Sequence, residues 1–525
     1  MRILTAAEMA RIDRLTTERA GVPSLDLMEN AGRSVVEFLA EEYGPLSRQK
    51  IVVVCGKGNN GGDGMVVARR LRQQGLAPRV LLLADPKSLK GDAAVNYQRL
   101  AELAPPQVVE ELSAWTRATA DLGDSTLLVD ALLGTGLAKP LQGFLLEVVR
   151  SLTSTFPQAR VVAVDLPSGL SADTGEVIGE FVRADASVTF TAPKRAHVFP
   201  PACEHVGKWV VRNIGTPPEV LETDPSLFLN LTEREEVSWL AQPRRRDTHK
   251  GTYGHVLVLA GSVGKTGAAA MCARSALRSG VGLATVGTAQ SALPIIASYS
   301  MEVMTEPLPE TNSGTISLQA IESGLLDRLV EGKDVLAIGP GLGLVPETAK
   351  FIRTAVNRYP LPVVLDADGL NAYAGCIGTL ETVGRVRVLT PHPGEMARLT
   401  GLKTSEILAH RVEVAREFAR QQRVHLILKG YRTLIASPEG SVWVNPTGNP
   451  GMATGGSGDV LTGIVAGLLA QYALRPVREV LAAAAYLHGL AGDLAGREKG
   501  EASLIAGDIM ESLPAAFRAL AGAQG

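Results

Sequence analysis

The sequence predicts an α/β protein of two three-layer domains, each a mostly parallel sheet covered by helices on both faces. Two series of short apolar runs, bounded by Gly and Pro and separated by helical stretches, carry this prediction. Runs that are apolar throughout, rather than alternating with polar residues, are what strands buried on both faces require. A turn-rich stretch with a basic cluster divides the two series, and 525 residues suit two or three cores rather than one.

The chain opens with MRILTAAEMARIDRL, where Thr5 and Glu8 make a capping box for a first helix. IVVVCG (51–56) leads into the helical MVVARRLRQQG, and RVLLLA (79–84) into a helix through 96–103. TLLVDALLG (126–134), ARVVAVDLPSG (159–169) and ASVTFTAP (186–193) complete the first sheet. After Val211 the texture changes: IGTPPEVLETDPSLFLNL is rich in Pro and turns, and QPRRRDTHKGTYG is basic. The expected boundaries are a first domain over 1–216, a linker over 217–245 and a second domain over 246–525. Arg244, Arg245 and Arg246 read as a solvated linker run in preference to a phosphate patch.

The second series runs through HVLVLAGS (255–262), GLATVGT (282–288), DVLAIGPGLG (334–343), LPVVLDADGL (361–370), VRVLTPHPGE (386–395) and HLILKGYRTLIAS (425–437). Ala-rich helical segments, VLTGIVAGLLAQYA and EVLAAAAYLHGLAGDLA, follow. The halves share an architecture but no periodic repeat.

Composition narrows the function classes. Hydrophobic residues make up 46% and charged residues 20%, with 55 Gly, as in soluble α/β proteins. A net charge of -2 gives no electrostatic case for nucleic acid or an anionic membrane, and 4% aromatics argue against a base-stacking platform. Cys55, Cys203, Cys272 and Cys376 lie far apart without a C-x-x-C pair, favouring reduced thiols in a cytoplasmic protein over disulfides or zinc. Cys55 reads as a buried spacer, since nothing arranges a base for it. Neither an export signal nor a membrane span is expected.

In the first half, Gly56, Gly58 and Gly61 fit G-x-G-x-x-G, with Asp85 about twenty residues on, as in dinucleotide-binding loops. Yet Asn59, Asn60 and Asp63 share that loop, and a carboxylate is an odd neighbour for a pyrophosphate. Parallel sheets bind ligands at the carboxyl ends of their strands. Three such ends are polar or Gly-rich here: GNNGGDG (58–64), DALLGTGLAKP (130–140) and DLPSGL (165–170). Any one alone reads as an ordinary turn; three on one edge read as a site. Asn60, Asp130 and Ser168 supply hard oxygen ligands that suit a weakly held alkali or alkaline-earth cation. The GTG at 134–136 offers backbone N–H groups to an anion, and Asp165 is the candidate for acid/base work.

In the second half, GGSGD (455–459) runs straight into a long apolar helix. The N–H groups of Gly456, Ser457 and Gly458 and the positive helix end would form an anion hole. Asp459 would repel a phosphate, so it reads either as a base taking a proton from a hydroxyl or as a helix N-cap. The neighbours favour the base: Lys429 in KGYRT, His392 and Glu395 in TPHPGE, the GPGLG turn, and Asp366 and Asp368 in DADGL. Glu395 is placed to act on a metal-bound phosphate. There is no G-x-x-x-x-G-K-[ST], which excludes a P-loop phosphotransferase.

These motifs resemble a known pair of families. GGSGD resembles the late G-x-G-D loop of the ribokinase-like superfamily. HKGTYGHVLVLAGS, TPHPGE, KG with its turn, and NPGMATGGSGDVLTG resemble the ADP/ATP-dependent NAD(P)H-hydrate dehydratases. LMENAGR (27–33), GNNGGDG, GTGL and VDLPSGL resemble the NAD(P)H-hydrate epimerases. The resemblance implies a Rossmann-like domain followed by a ribokinase-like one, repairing hydrated NADH and NADPH. It further implies that Asn59, Asn60, Gly61, Gly62 and Asp63, then Gly134, Thr135, Gly136, Leu137, Ala138, Lys139 and Pro140, with Asp165, bind the hydrate in the first half. Asn60, Asp130 and Ser168 would hold potassium.

In the second half the resemblance implies that Ala268, Gly343, His392 and Asp459 contact the hydrate. Lys429, Gly430, Tyr431, Arg432, Thr433 and Gly458 would contact the adenine nucleotide. Magnesium, ADP as co-substrate and a homo-oligomer complete the expectation. Asp165 and Asp459 are the catalytic candidates. Competing readings are a small-molecule kinase fused to a Rossmann-like nucleotide-binding module, a first half without catalysis, and, least supported, an NAD-dependent dehydrogenase.

Overall fold

The computed structural model describes residues 1–522 and divides into two compact units, Met1–Leu227 and Phe228–Gly525. The first contains a seven-stranded sheet of β1 (Ile51–Cys55), β2 (Arg79–Leu82), β3 (Gln107–Val108), β4 (Leu127–Ala131), β5 (Arg160–Val164), β6 (Ala186–Phe190) and β7 (Lys208–Arg212). Its order is β3-β2-β1-β4-β5-β6-β7, and every pair is parallel. The order reverses direction between β1 and β4, which opens a crevice at their carboxyl ends. Side chains alternate between two separate cores, Val53, Cys55 and Val129 on one face and Val52, Val54 and Leu128 on the other. This is the uniformly apolar strand pattern resolved into a doubly covered sheet.

The glycines of the fingerprint serve packing. The helix Asn59–Gln73 starts so close to the sheet that a Cβ on Gly61 would lie 1.9 Å from Gly56 O, and one on Gly64 would lie 2.4 Å from Ala131 Cβ. Asp85 caps a short turn, accepting from Lys87 N at 2.9 Å, and does not play a fingerprint acid's part. Cys55 is fully buried, and burial pushes its thiol up to about 12, in keeping with an inert spacer.

The second unit contains ten strands: β8 (Leu229–Leu231), β9 (His255–Leu259), β10 (Leu283–Ala289), β11 (Met304–Leu308), β12 (Val335–Ile338), β13 (Val363–Leu365), β14 (Arg387–Leu389), β15 (His425–Leu428), β16 (Leu434–Ala436) and β17 (Val442–Val444). Their order is β11-β10-β9-β12-β13-β14-β15-β16-β17-β8, parallel except where β16 pairs antiparallel with β15 and β17. The run 425–437 is therefore two strands joined by the KGYRT turn. The apolar helix Ser457–Gln471 lies in the core, buried from Val460 to Ala470. It approaches the helix Thr266–Arg278 so closely that a Cβ on Gly463 would lie 2.0 Å from Cys272 O.

The stretch 217–245, expected as a linker, is structured and divided between the units. The helix Pro218–Glu222 and Leu227 pack with Leu4, Met9 and Ile12. β8 pairs with β17, and Val237 and Leu240 enter the second core. Its Pro residues mark turns between short elements, and its apolar residues alternate with acids, which hid them as core positions. Arg244 stacks 3.7 Å from the Tyr253 ring, and Arg245 pairs with Asp247. Among the described residues no helix is long and apolar enough to cross a membrane.

Candidate active sites

At the carboxyl edge of the first sheet, Asp130 at the end of β4 and Ser168 after β5 are joined directly. Ser168 Oγ donates to Asp130 Oδ1 at 2.6 Å, and Ser168 N donates to Oδ2 at 2.8 Å. Leu132 N and Leu133 N tie the intervening loop to the same pair. Burial raises the Asp130 pKa against the lowering effect of these bonds, as expected for a buried anion short of positive charge. Asn60, in the first turn of the helix Asn59–Gln73, is 8% exposed, and its Nδ2 has no hydrogen-bond partner. A Cβ on Gly134 would come within 3.3 Å of Asn60 Oδ1. Two of the three polar edges, at Asn60 and at the GTG loop, therefore touch.

Asp165 follows β5 with φ +65°, a left-handed conformation that costs a non-glycine residue about 1–2 kcal/mol. Its Oδ1 accepts from Lys194 Nζ at 2.5 Å and from Thr189 Oγ1 at 2.8 Å. His197 Nε2 meets its backbone carbonyl at 2.9 Å, while His197 Nδ1 accepts from Lys194 N at 3.1 Å. Burial alone would raise the Asp165 pKa, but the Lys194 charge and hydrogen bond, with His197 and Thr189, bring it below the ordinary value. His197 is pushed down to about 4, first by burial and then by Lys194, so it is neutral near pH 7.

In the second unit the helix Ser457–Gln471 begins after its N-cap Gly456, which has a φ of +94°. Asp459 therefore lies inside the first turn and is not the cap. Among the described residues no hydrogen bond engages its carboxylate. Burial, then repulsion by Asp366, raise its pKa to about 7 despite the opposing Lys429 charge, with Glu395 and Asp368 adding to the rise. A carboxylate poised there suits a general base.

Around it, Lys429 Nζ donates to Asp366 Oδ1 at 2.8 Å and lies 3.6 Å from Glu395 Oε2. Thr462 Oγ1 donates to Asp366 Oδ2 at 2.8 Å. Lys429 Nζ would lie 3.2 Å from a Cβ on Gly458, at the helix end where backbone N–H groups lack intrahelical partners. Glu395 Oε2 accepts from His392 N at 2.8 Å, and His392 Nδ1 accepts from Gly394 N at 3.0 Å, so His392 caps the helix Pro393–Thr400. Gly343 N donates to Asp368 Oδ2 at 2.7 Å, and a Cβ on Gly341 would lie 3.2 Å from Ala268 Cβ.

Comparison with known proteins matches a different family model in each unit. A family model described as NAD(P)H-hydrate dehydratase matches residues 256–515, and one described as YjeF-related protein N-terminus matches 24–196. The chain is 44% identical to the bifunctional NAD(P)H-hydrate repair enzyme Nnr of Moorella thermoacetica, over 99% of this chain and 97% of that protein. It is 40% identical to the corresponding enzyme of Thermofilum pendens, with the same coverage of 99% and 97%. The chain belongs to the bifunctional NAD(P)H-hydrate repair enzyme family.

Among solved structures, the ADP/ATP-dependent NAD(P)H-hydrate dehydratase from Bacillus subtilis, co-crystallized with ATP/Mg2+, is 31% identical. It covers 55% of this chain and 98% of its own, with a TM-score of 0.48. For a member of the NAD(P)H-hydrate repair family, the residues that sequence reasoning missed are as telling as those it named. Lys194, Thr189 and His197 hydrogen-bond to Asp165, Thr462 to Asp366 and Lys265 to Asp368. Lys194 had a signal, since it lies four residues past β6, at the carboxyl edge of the sheet. Thr462 had none, because it sits at an ordinary helical position.

Proposed function

We propose that the first unit exchanges the R and S epimers of hydrated NADH and NADPH, and that the second phosphorylates the S hydrate with ADP, yielding NAD(P)H, AMP and phosphate. The hydroxyl of the hydrate sits on the ring carbon beside the ring nitrogen. Hydroxide leaves poorly, whereas phosphate, once transferred, is expelled by the nitrogen lone pair. Asp459 takes the hydroxyl proton as the new O–P bond forms. Lys429 and the N–H groups at Gly458 face the transferring phosphoryl group. The observation that carries this reading is Asp459: half-buried, unpaired, inside a helix N-terminus and poised near neutrality.

Asn59, Asn60, Gly61, Gly62 and Asp63, the 134–140 loop and Asp165 surround the hydrate in the first unit. Ala268, Gly343, His392 and Asp459 contact it in the second, and the 429–433 turn with Gly458 contacts the nucleotide. The first edge fits potassium in its oxygen donors: Asp130 is a buried carboxylate lacking a cation, and the buried amide of Asn60 has its carbonyl oxygen beside Gly134. Asn60, Asp130 and Ser168 would hold the ion, which supplies positive charge beside the bound dinucleotide. Among the described residues no group of three or more His, Cys, Asp or Glu is placed to hold a metal ion unaided. Magnesium fits as an ion carried in by the nucleotide phosphates, near Glu395.

The test incubates mixed hydrates with ADP or with ATP and follows reduced-nicotinamide absorbance together with the nucleotide products. Recovery of absorbance with AMP formed from ADP is expected. A stable phosphorylated product without recovery would instead mark a conventional kinase. Asp165→Ala should block use of the R hydrate while leaving the S hydrate repairable; unchanged use of both would mark a first unit without catalysis.

A further inference from the structure

The loop after β13 carries two carboxylates, Asp366 and Asp368, and a lysine reaches it from either side of the sheet. Lys429, which follows β15, donates to Asp366 Oδ1 at 2.8 Å. Lys265, which follows β9, donates to Asp368 Oδ2 at 3.2 Å. β12, β13 and β14 separate β9 from β15, so the ends of those two strands lie about 19 Å apart at the usual strand spacing. The two lysines differ in access: the side chain of Lys429 is 19% exposed and that of Lys265 is 53% exposed. Among the described residues the one hydrogen bond of the Lys265 ammonium goes to Asp368, which leaves two N–H groups for a ligand.

The backbone around Lys265 is fixed to the GPGLG turn. Gly261 N donates to Pro340 O at 2.9 Å, Ser262 Oγ to Gly341 O at 2.7 Å, and Lys265 N to Ser262 O at 2.9 Å. Gly341, with φ +68°, comes so near that a Cβ there would lie 3.0 Å from Lys265 Cβ and 3.2 Å from Ala268 Cβ. Lys265 is the N-cap of the helix Thr266–Arg278, and Ala268 lies in its first turn. Asp368 Oδ2 also accepts from Gly343 N at 2.7 Å. Ala268 and Gly343 therefore flank Lys265, one on the same helix and the other through a shared carboxylate oxygen.

Charge gives this lysine a purpose. Asp366, Asp368, Glu395 and Asp459 gather at this edge, and a dinucleotide brings the negative charges of its diphosphate to them. Lys429 is already held by Asp366, with Glu395 Oε2 3.6 Å away. We propose that Lys265 binds the diphosphate of the hydrate, with Asp368 holding its ammonium beside Gly343. One lysine then serves the molecule being repaired, and the other serves the phosphoryl group being transferred. The proposal rests on the hydrate lying against Ala268 and Gly343 in the second unit. The diphosphate suits the position better than the 2′-phosphate of the NADPH form. Asp368 is two residues from Asp366, near the reacting end of the site, whereas the 2′-phosphate sits on the far ribose. Lys265 sets affinity for the hydrate and takes no part in the transfer.

The test measures repair of the purified S hydrates of NADH and of NADPH by the full chain, with ADP varied separately. Lys265→Met should raise KM for both hydrates by about 10-fold or more, the loss expected for a charged hydrogen bond, and leave kcat within about twofold. KM for ADP should stay unchanged. Lys265→Gln, which keeps length and polarity, should match Lys265→Met, and Lys265→Arg, which keeps the charge, should stay within about threefold of wild type. Rising ionic strength should weaken hydrate binding by the wild type more steeply than by Lys265→Met. A higher KM for the NADPH hydrate alone would move the contact to the 2′-phosphate and overturn the assignment. A higher KM for ADP in place of the hydrates, or unchanged KM values beside normal wild-type repair, overturns the proposal alone. Absence of repair by the wild-type chain overturns it together with the reading it rests on.

Discussion

Lys429 Nζ lies 2.8 Å from Asp366 Oδ1 near the start of the helix Ser457–Gln471, so the cation proposed to face the phosphoryl group is held by a carboxylate 1% exposed. Asp366 and Lys429 act in opposite senses on Asp459, the first raising its pKa and the second lowering it. Asp366→Asn should therefore shift the rise of the dehydration rate to lower pH, and Lys429→Met should shift it to higher pH. Lys429→Met also removes charge from the transferring phosphoryl group and should cost kcat about 100-fold. It leaves Asp366 buried without its cation, a loss of about 3–5 kcal/mol in stability. Parallel pH–rate profiles and thermal melts separate the two effects; a shared direction of shift would contradict the geometry.

Asp459→Asn should abolish repair, by about 10²–10⁴-fold, and leave epimer exchange intact. Its effect on stability should run the other way. The folded pKa of about 7 lies above the ordinary 3.8, so the wild-type second unit loses stability as pH rises from about 4 to about 7. The amide has no such loss. Thermal unfolding should place the variant above wild type by several degrees at pH 8 and level with it below pH 4.

Asp130→Asn removes the buried negative charge that suits a cation while retaining much of its shape. Exchange by the wild-type chain should be faster in potassium chloride than in choline chloride of equal ionic strength. In the variant that difference should vanish. Dehydration of the S hydrate should keep its rate in both salts.

A second unit beginning at residue 246 should fold poorly, whereas one beginning at 228 should fold. The shorter form loses β8, which pairs with β17 through Leu229, Asn230 and Leu231, and exposes the places of Val237 and Leu240 in the core. Fully burying one such side chain stabilises by about 1.5–3 kcal/mol, so the four apolar residues together are comparable to the whole margin of a typical domain, about 5–15 kcal/mol. Circular dichroism melts of the two forms provide the comparison.

The alternation of buried runs made the two sheets legible, because a strand covered on both faces must be apolar along its whole length. The loops at their carboxyl ends were legible for a related reason: polar and Gly-rich residues between buried runs need a purpose. The linker was misread because β8 and the short helices around it are too brief to show a period. The fingerprint glycines were visible as a pattern, but Gly61 is required by Gly56 O in this chain, and spacing does not reveal that contact.

The sequence by itself determined the strand and helix series, the edges where ligands meet the sheets, and Asp165 and Asp459 as the acids worth following. Tertiary structure decided what those acids can do. A carboxylate takes its role from the charges and solvent around it, and Lys194 reaches Asp165 across 29 residues while Lys429 reaches Asp366 across 63. Those neighbours are brought together by strand order, which the local sequence does not encode, and they hold Asp165 ionised while leaving Asp459 poised to accept a proton.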